Sequence, residues 1–190
     1  MLRVPSLLLS ALGGLFLVSS CDNQQQKHPP HASCFLMKDY FEKEASRLNA
    51  SVKQVKKTIT NDGKSETKNV SIGNWKTELK PFMMTDIGQA GSIGNYTCDT
   101  LFIYSLISGE IDTTVVTYTA INASLPIKRI RIELMGASTP VKFKIQNEIH
   151  NPLYSSSEEL TYWPGKRYMI TGKQKTIAGE TTFYQIETLF

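Results

Sequence analysis

The sequence predicts an α+β fold: an N-terminal helix, a hairpin, a second short helix, and then an antiparallel meander of about seven further strands forming a curved sheet or half-barrel. Three observations carry this. An apolar stripe at helical spacing runs from Leu36 to Leu48. Asn61-Asp62-Gly63 separates two strand-like segments. From Tyr96 to the C-terminus the apolar residues alternate with polar ones between short turns.

The first helix is expected from Ser33, which can cap it, to near Asn49. Leu36, Met37, Tyr40, Phe41, Ala45 and Leu48 share one face, with Lys38, Asp39, Glu42 and Lys43 opposite. SVKQVKKTIT and KSETKNVSI then flank the Asp-Gly pair, which accepts the positive φ that tight hairpins require. NWKTELKPFMMTDI sets Trp75, Leu79, Phe82, Met83 and Ile87 at helical spacing, and Pro81 inside the run predicts a kink or a short helix. Gly88 to Gly94 reads GQAGSIG. It follows a helix and lacks the Lys-Ser/Thr of a phosphate loop, so it is a connection or lid.

TLFIYSLI and TTVVTYTAI are the next strands, on either side of SGEID. IKRIRIEL puts Ile130, Ile132 and Leu134 on one face and Arg129, Arg131 and Glu133 on the other. VKFKIQ does the same, with Lys142 and Lys144 opposite Val141, Phe143 and Ile145. PLYSSS, ELTYW, RYMITGKQ and TFYQIETLF complete the meander, divided by Pro164-Gly165 and Ala178-Gly179-Glu180. One face of such a sheet is apolar, and the two helices are the material available to cover it.

At 190 residues, with 41% hydrophobic and 20% charged residues, the chain is one globular domain plus appendages. The net charge of +4 includes Arg3; it is too small to suggest nucleic acid as a partner, and no basic run of five or more is present. Leu7 to Val18 is an apolar block whose twelve helical residues would span about 18 Å, too short for a bilayer core of roughly 30 Å. Residues 1–20 therefore predict a secretory signal. Val18-Ser19-Ser20-Cys21 resembles the bacterial lipobox, in which small residues admit the peptidase and the cysteine thiol takes a diacylglyceryl group. Residues 21–33, beginning CDNQQQKHPPHAS, then form a lipidated flexible tether, and residues 34–190 the globular α+β domain. With Cys21 acylated, Cys34 and Cys98 remain as an even pair in an oxidising compartment, which predicts a disulfide between them.

With these residues in view, the chain resembles small lipoproteins of Gram-negative bacteria. The likeness is carried by the lipobox cysteine, DYFEKEASRLN, DGKSETK, NWKTELKPFMMTDI and LYSSSEELTYWPGKRYMITGKQ. It implies a lipid-anchored protein of the cell envelope, facing the periplasm or the surface, and carries over no activity. In outline the helix and meander are also similar to half-barrel lipoprotein carriers that shield acyl chains.

Catalytic signatures are not found: there is no GxSxG, HExxH or CxxC. No metal and no cofactor is expected. His28, His31 and Cys34 lie on or beside a tether that supplies no fixed geometry, and His150 is in a turn-like EIHNP. Asp86 and His150 are the residues a hydrolase would have to use. Glu158 and Glu159 point to opposite faces of a strand. Arg129, Arg131, Lys142 and Lys144 would form a basic patch on paired strands, suited to an anionic headgroup, an acidic glycan or an acidic partner. Tyr154, Tyr162, Trp163, Tyr168, Phe183 and Tyr184 supply either core or the lining of a sugar or lipid site. The expected function is non-catalytic binding of an apolar or glycan ligand, or of an envelope protein, through the helix-covered sheet. The alternative is a structural scaffold that uses the basic patch.

Overall fold

A computed structural model describes residues 35–88 and 92–190. It has one long α-helix, two single-turn α-helices, a 3₁₀ turn at Ile93–Asn95 and nine strands in a single sheet. Helix α1 spans Met37–Ser51 and buries Met37, Phe41, Ala45 and Leu48, one residue per turn on a single stripe. Its start differs from the expected Ser33 cap. The N-cap position is Leu36, which has no side-chain acceptor, and the Met37 N–H donates instead to Asp86 Oδ1 at 3.2 Å. The capping group thus comes from 49 residues downstream, a relationship no local pattern encodes. Ser33 itself lies outside the described residues.

The predicted second helix is two separate turns, α2 at Trp75–Glu78 and α3 at Lys80–Met83. Asn74 caps α2 by accepting from the N–H of Lys76 and Thr77. Pro81 stands in the first turn of α3, where its missing N–H costs nothing, and the chain breaks at Leu79 before it. Trp75, Leu79, Phe82, Met83 and Ile87 are all buried, so the stripe held although the helix did not.

Strands β1 (Gln54–Asn61) and β2 (Lys64–Ser71) form the N-terminal hairpin, turned by Asp62 at φ 44° and Gly63 at φ 80°. The meander is β3 (Tyr96–Tyr104), β4 (Ile111–Ala120), β5 (Ile127–Met135), β6 (Thr139–Asn151), β7 (Tyr154–Trp163), β8 (Arg167–Thr176) and β9 (Thr182–Leu189). PLYSSS and ELTYW are one continuous strand, β7, because Ser155–Glu159 stay paired to both neighbours. Ser105 to Glu110 form the β3–β4 turn, so the SLI of the first predicted strand lies in that turn. The sheet order is β2-β1-β9-β8-β7-β6-β5-β4-β3, antiparallel throughout. The N-terminal hairpin thus returns to the C-terminal strand, and the sheet is open, with β2 and β3 at its edges.

All three helices lie on one face. Beneath them Ile130, Ile132, Phe143, Ile145, Leu160, Tyr162 and Tyr168 are buried, each on the apolar parity of its strand. Phe41 of α1 is fully buried among Phe82, Phe143 and Tyr162, at ring distances of 5.1, 5.3 and 5.0 Å. Phe190 meets Trp75 edge-on at 4.9 Å. No helix among the described residues is long and apolar enough to cross a membrane.

Candidate functional site

Three carboxylates on or beside the helices, Glu44, Glu78 and Asp86, are held by the protein itself. Glu44, on the buried stripe of α1, accepts two bonds from Arg47 at 2.7 and 2.8 Å, one from the Tyr162 hydroxyl at 2.6 Å and one from the Gly165 N–H at 3.3 Å. Burial alone would raise its pKa, but these four donors outweigh it and hold the carboxyl below its ordinary value. Burial first, then the Glu44 carboxylate, pushes the Tyr162 hydroxyl far up, so it remains a donor. Gly165 adopts φ 67° in the β7–β8 turn, which brings its N–H to Glu44 with the Arg47 guanidinium alongside. Glu78 accepts from Lys57 at 2.6 Å and from the Tyr168 hydroxyl, fixing α2 to β1 and β8. Asp86 caps α1 and takes the Gly88 N–H at 3.3 Å. Glu44 and Glu78 fasten helices to the sheet, Asp86 ties the segment after α3 to the start of α1, and the interface is packed with aromatic rings.

The opposite, helix-free face carries the open recesses. Strand register aligns Arg129, Gln146, Glu159, Thr171, Gln185 and Thr60 in one row across β5, β6, β7, β8, β9 and β1. Neighbouring strands lie about 4.8 Å apart, so the row is roughly 24 Å long. Its central part floors a 520 Å³ recess, with Glu148, Ser157, Lys173 and Phe183 beside it. A second recess of 450 Å³ adjoins it through Ser157, Lys173 and Phe183 and reaches His150 and Lys175. The Phe183 ring is 57% exposed, an aromatic surface among hydroxyls, amides and charges.

A third recess of 330 Å³ shares Gln146 with the first and brings Arg129, Arg131, Lys142 and Lys144 together with Glu133. The predicted basic residues therefore do sit on one face, as the register pairs Arg131–Lys144 and Glu133–Lys142 require. Two carboxylates interleave with them: Glu133 lies 3.1 Å from Arg131 and 3.8 Å from Lys142, and Glu159 lies 3.0 Å from Lys144. Arg129 makes no ion pair among the described residues and is exposed at the end of the row. Trp163 borders this region, with the Arg167 guanidinium 4.2 Å and the Lys142 ammonium 5.9 Å from its ring centre.

The remaining sequence candidates separate. Glu158 turns to the helix side and accepts from the Tyr184 hydroxyl, whose ring crosses Gly172 so closely that a Cβ there would collide with it. Glu159 faces the open side, as strand alternation required. His150 stands on the open face 3.7 Å from Glu148, whereas Asp86 caps α1 on the helix side; the sheet lies between them. Tyr162 and Tyr168 are core, while Trp163 is half-buried on the open face. Cys98 is half-buried opposite Tyr118 and packs against the core. Cys21, His28, His31 and Cys34 lie outside the described residues. Among the described residues no group of three or more His, Cys, Asp or Glu is placed to hold a metal.

The row across six strands is the feature that sequence reasoning missed. Alternation assigns each residue to a face, but only inter-strand register places Gln146, Glu159, Thr171 and Gln185 side by side. Comparison with family models, with curated proteins and with solved structures finds no match to this chain.

Proposed function

We propose that the protein is a lipid-anchored envelope lipoprotein that holds a glycan-type ligand, without catalysis, on the helix-free face of its sheet. The observation that carries this reading is the cross-strand row from Arg129 to Thr60, lying along the 520 Å³ recess and ending beside the basic recess. Amide, hydroxyl and carboxylate side chains at strand spacing are paired donors and acceptors of the kind sugar hydroxyls need. Phe183 offers a ring for stacking against an apolar sugar face, and the basic recess suits a carboxylate or phosphate substituent. This moves the ligand from the helix-covered side, where aromatic rings fill the interface, to the open side. The separation of His150 from Asp86 supports binding without chemistry.

The test is calorimetric titration with oligomers of a uronic acid and with neutral oligomers of equal length. The uronate is expected to bind more tightly, with affinity falling as salt rises. Arg129→Glu with Lys142→Glu should weaken it about tenfold, which is 1.4 kcal/mol. Absence of binding, or equal affinity in the charge-reversed variant, contradicts the proposal. In the scaffold reading, favoured by Arg129, which has no ion pair among the described residues, the same variant loses an acidic protein partner while saccharides bind neither form.

The anchor and the disulfide belong to the same proposal. The Phe35 N–H donates to the Tyr118 hydroxyl at 2.9 Å, and Tyr118 faces Cys98 across β3 and β4. Phe35 is thereby held beside the strand pair that carries Cys98, and this supports a Cys34–Cys98 bridge. One intact-mass measurement on membrane-extracted protein tests both. A chain beginning at Cys21, heavier by its acyl groups, and lighter by two hydrogens until reduced is the expected result. An unacylated N-terminus or a mass unchanged by reductant refutes the corresponding part.

A further inference from the structure

The two edges of the sheet are built differently. At β2 the sequence KSETKNVS places Lys64, Glu66 and Lys68 at alternate positions, and Lys68 pairs with Glu66 at 2.6 Å. Charges so spaced on an exposed edge oppose addition of another strand. At β3 the sequence is YTCDTLFIY, with Asp99 its only charge. No lysine or arginine occurs between Lys80 and Lys128. Leu101, Phe102, Ile103 and Tyr104 are exposed by 45–59%, and Leu106 and Ile107 in the following turn are fully exposed.

The exposure is on both faces at once. Leu101 and Ile103 point to one side of the sheet and Phe102 and Tyr104 to the other, with a backbone edge between them that pairs with no further strand among the described residues. A flat surface, such as a bilayer, covers one side of a hairpin evenly. A strand added in the plane of the sheet covers both sides and also pairs the backbone. Taking roughly 200 Å² for each large apolar side chain, these six leave on the order of 800 Å² open, the area one partner contributes to a standard stable interface.

We propose that β3 is a dimer edge, taken by β3 of a second copy in antiparallel register about a two-fold axis, giving one continuous sheet of both chains. The strand is self-complementary for this, because each copy presents apolar side chains to both faces and an open row of backbone groups. Centred near Phe102, the pairing sets Asp99 opposite Ser105 of the second copy, so that no like charges meet. It also carries Leu106 and Ile107 beside the base of the partner hairpin, where Ile121 is 65% exposed on its own. The edge lies at one end of the strand order and leaves the recesses of β6 to β9 free. The inference therefore does not depend on which ligand those recesses take.

The test is sedimentation velocity on the full chain in a detergent micelle, from low to high micromolar concentration, with the protein mass in each species determined. The unaltered chain is expected to be a dimer, as interfaces of this area commonly are at micromolar concentration. Phe102→Lys and, separately, Ile103→Lys should give monomers with unchanged circular dichroism, and Thr67→Lys on the β2 edge should leave the dimer intact. A monomer across the whole range overturns the proposal. So does a dimer that persists in both β3 lysine variants. Loss of vesicle binding in Leu106→Asp by a monomeric parent also overturns it, by assigning the patch to a membrane.

Discussion

Replacing Phe41 by alanine is expected to destabilise the domain by about 3–5 kcal/mol, the range for deleting a buried ring where neighbours cannot close the cavity. Phe41 is fully buried at the point where α1, α3, β6 and β7 meet. Its ring touches Tyr40, Phe82, Phe143 and Tyr162 at centroid distances of 5.0–5.3 Å. Collapse is blocked because two of those neighbours are fixed from other directions. Tyr162 is tied by its hydroxyl to Glu44, and Phe143 lies in the ladder between Ile132 and Tyr162. Urea unfolding should therefore show a large fall in midpoint at unchanged slope. Phe183→Ala is the matched control: its ring is more than half exposed on the open face, so stability should change by less than about 1 kcal/mol. A Phe41→Ala loss below about 1.5 kcal/mol would mean that the cluster repacks and does not fix the helices.

Glu44→Ala is expected to cost about 2–4 kcal/mol and to change how stability responds to acid. Removing one partner of a buried charge network is costly because the rest are left unpaired. The lower part of the usual range applies because the Arg47 side chain is half-exposed and reaches solvent. The folded-state carboxyl is held below its ordinary 4.5, since the bonds from Arg47, Tyr162 and Gly165 outweigh burial. A lowered folded pKa stabilises above 4.5, and that contribution disappears as pH falls through the lower value. The stability gap between the native chain and Glu44→Gln should be constant from neutral pH to about 5 and narrow below 4.5. Denaturant midpoints measured from neutral pH into this acidic range check it. A gap that widened on acidification would mean that the carboxyl titrates above its ordinary value.

How much of this was legible in the sequence depends on the range of the interaction. The α1 stripe, the Asp62-Gly63 turn, and the alternation of β5 and β6 are set by residues within a few positions of one another, and the fold keeps them with two exceptions. Leu36 precedes α1 and is exposed, and Val141 is exposed at a register shift between β5 and β6. The break at Leu79 follows from Pro81, whose ring predicts a kink or a short helix. Long-range partnerships were not legible. Asp86 caps a helix whose own sequence offers no cap at Leu36, and Glu44 lies on an apolar stripe because Tyr162 and Gly165 come from more than a hundred residues away. A charged residue on a buried stripe was the visible signal, with Arg47 one turn on as its partner. For the open face, parity sorted Arg129, Lys142 and Lys144 onto one side, but the adjoining row needed register across six strands, which no single segment contains. The return of the N-terminal hairpin to β9 was equally out of reach, because β1 and β9 stand at opposite ends of the chain.

The proposed division of labour puts the helices and aromatic core on one face of the sheet and the ligand on the other. Amide chemical-shift mapping of the labelled domain during titration with a uronic-acid oligomer tests it most directly. The largest changes should fall on Gln146, Glu159, Thr171 and Gln185, extend to Arg129 and Phe183, and spare α1 and α3. Changes concentrated on α1, α3 and the strands beneath them, with that row unmoved, would contradict it.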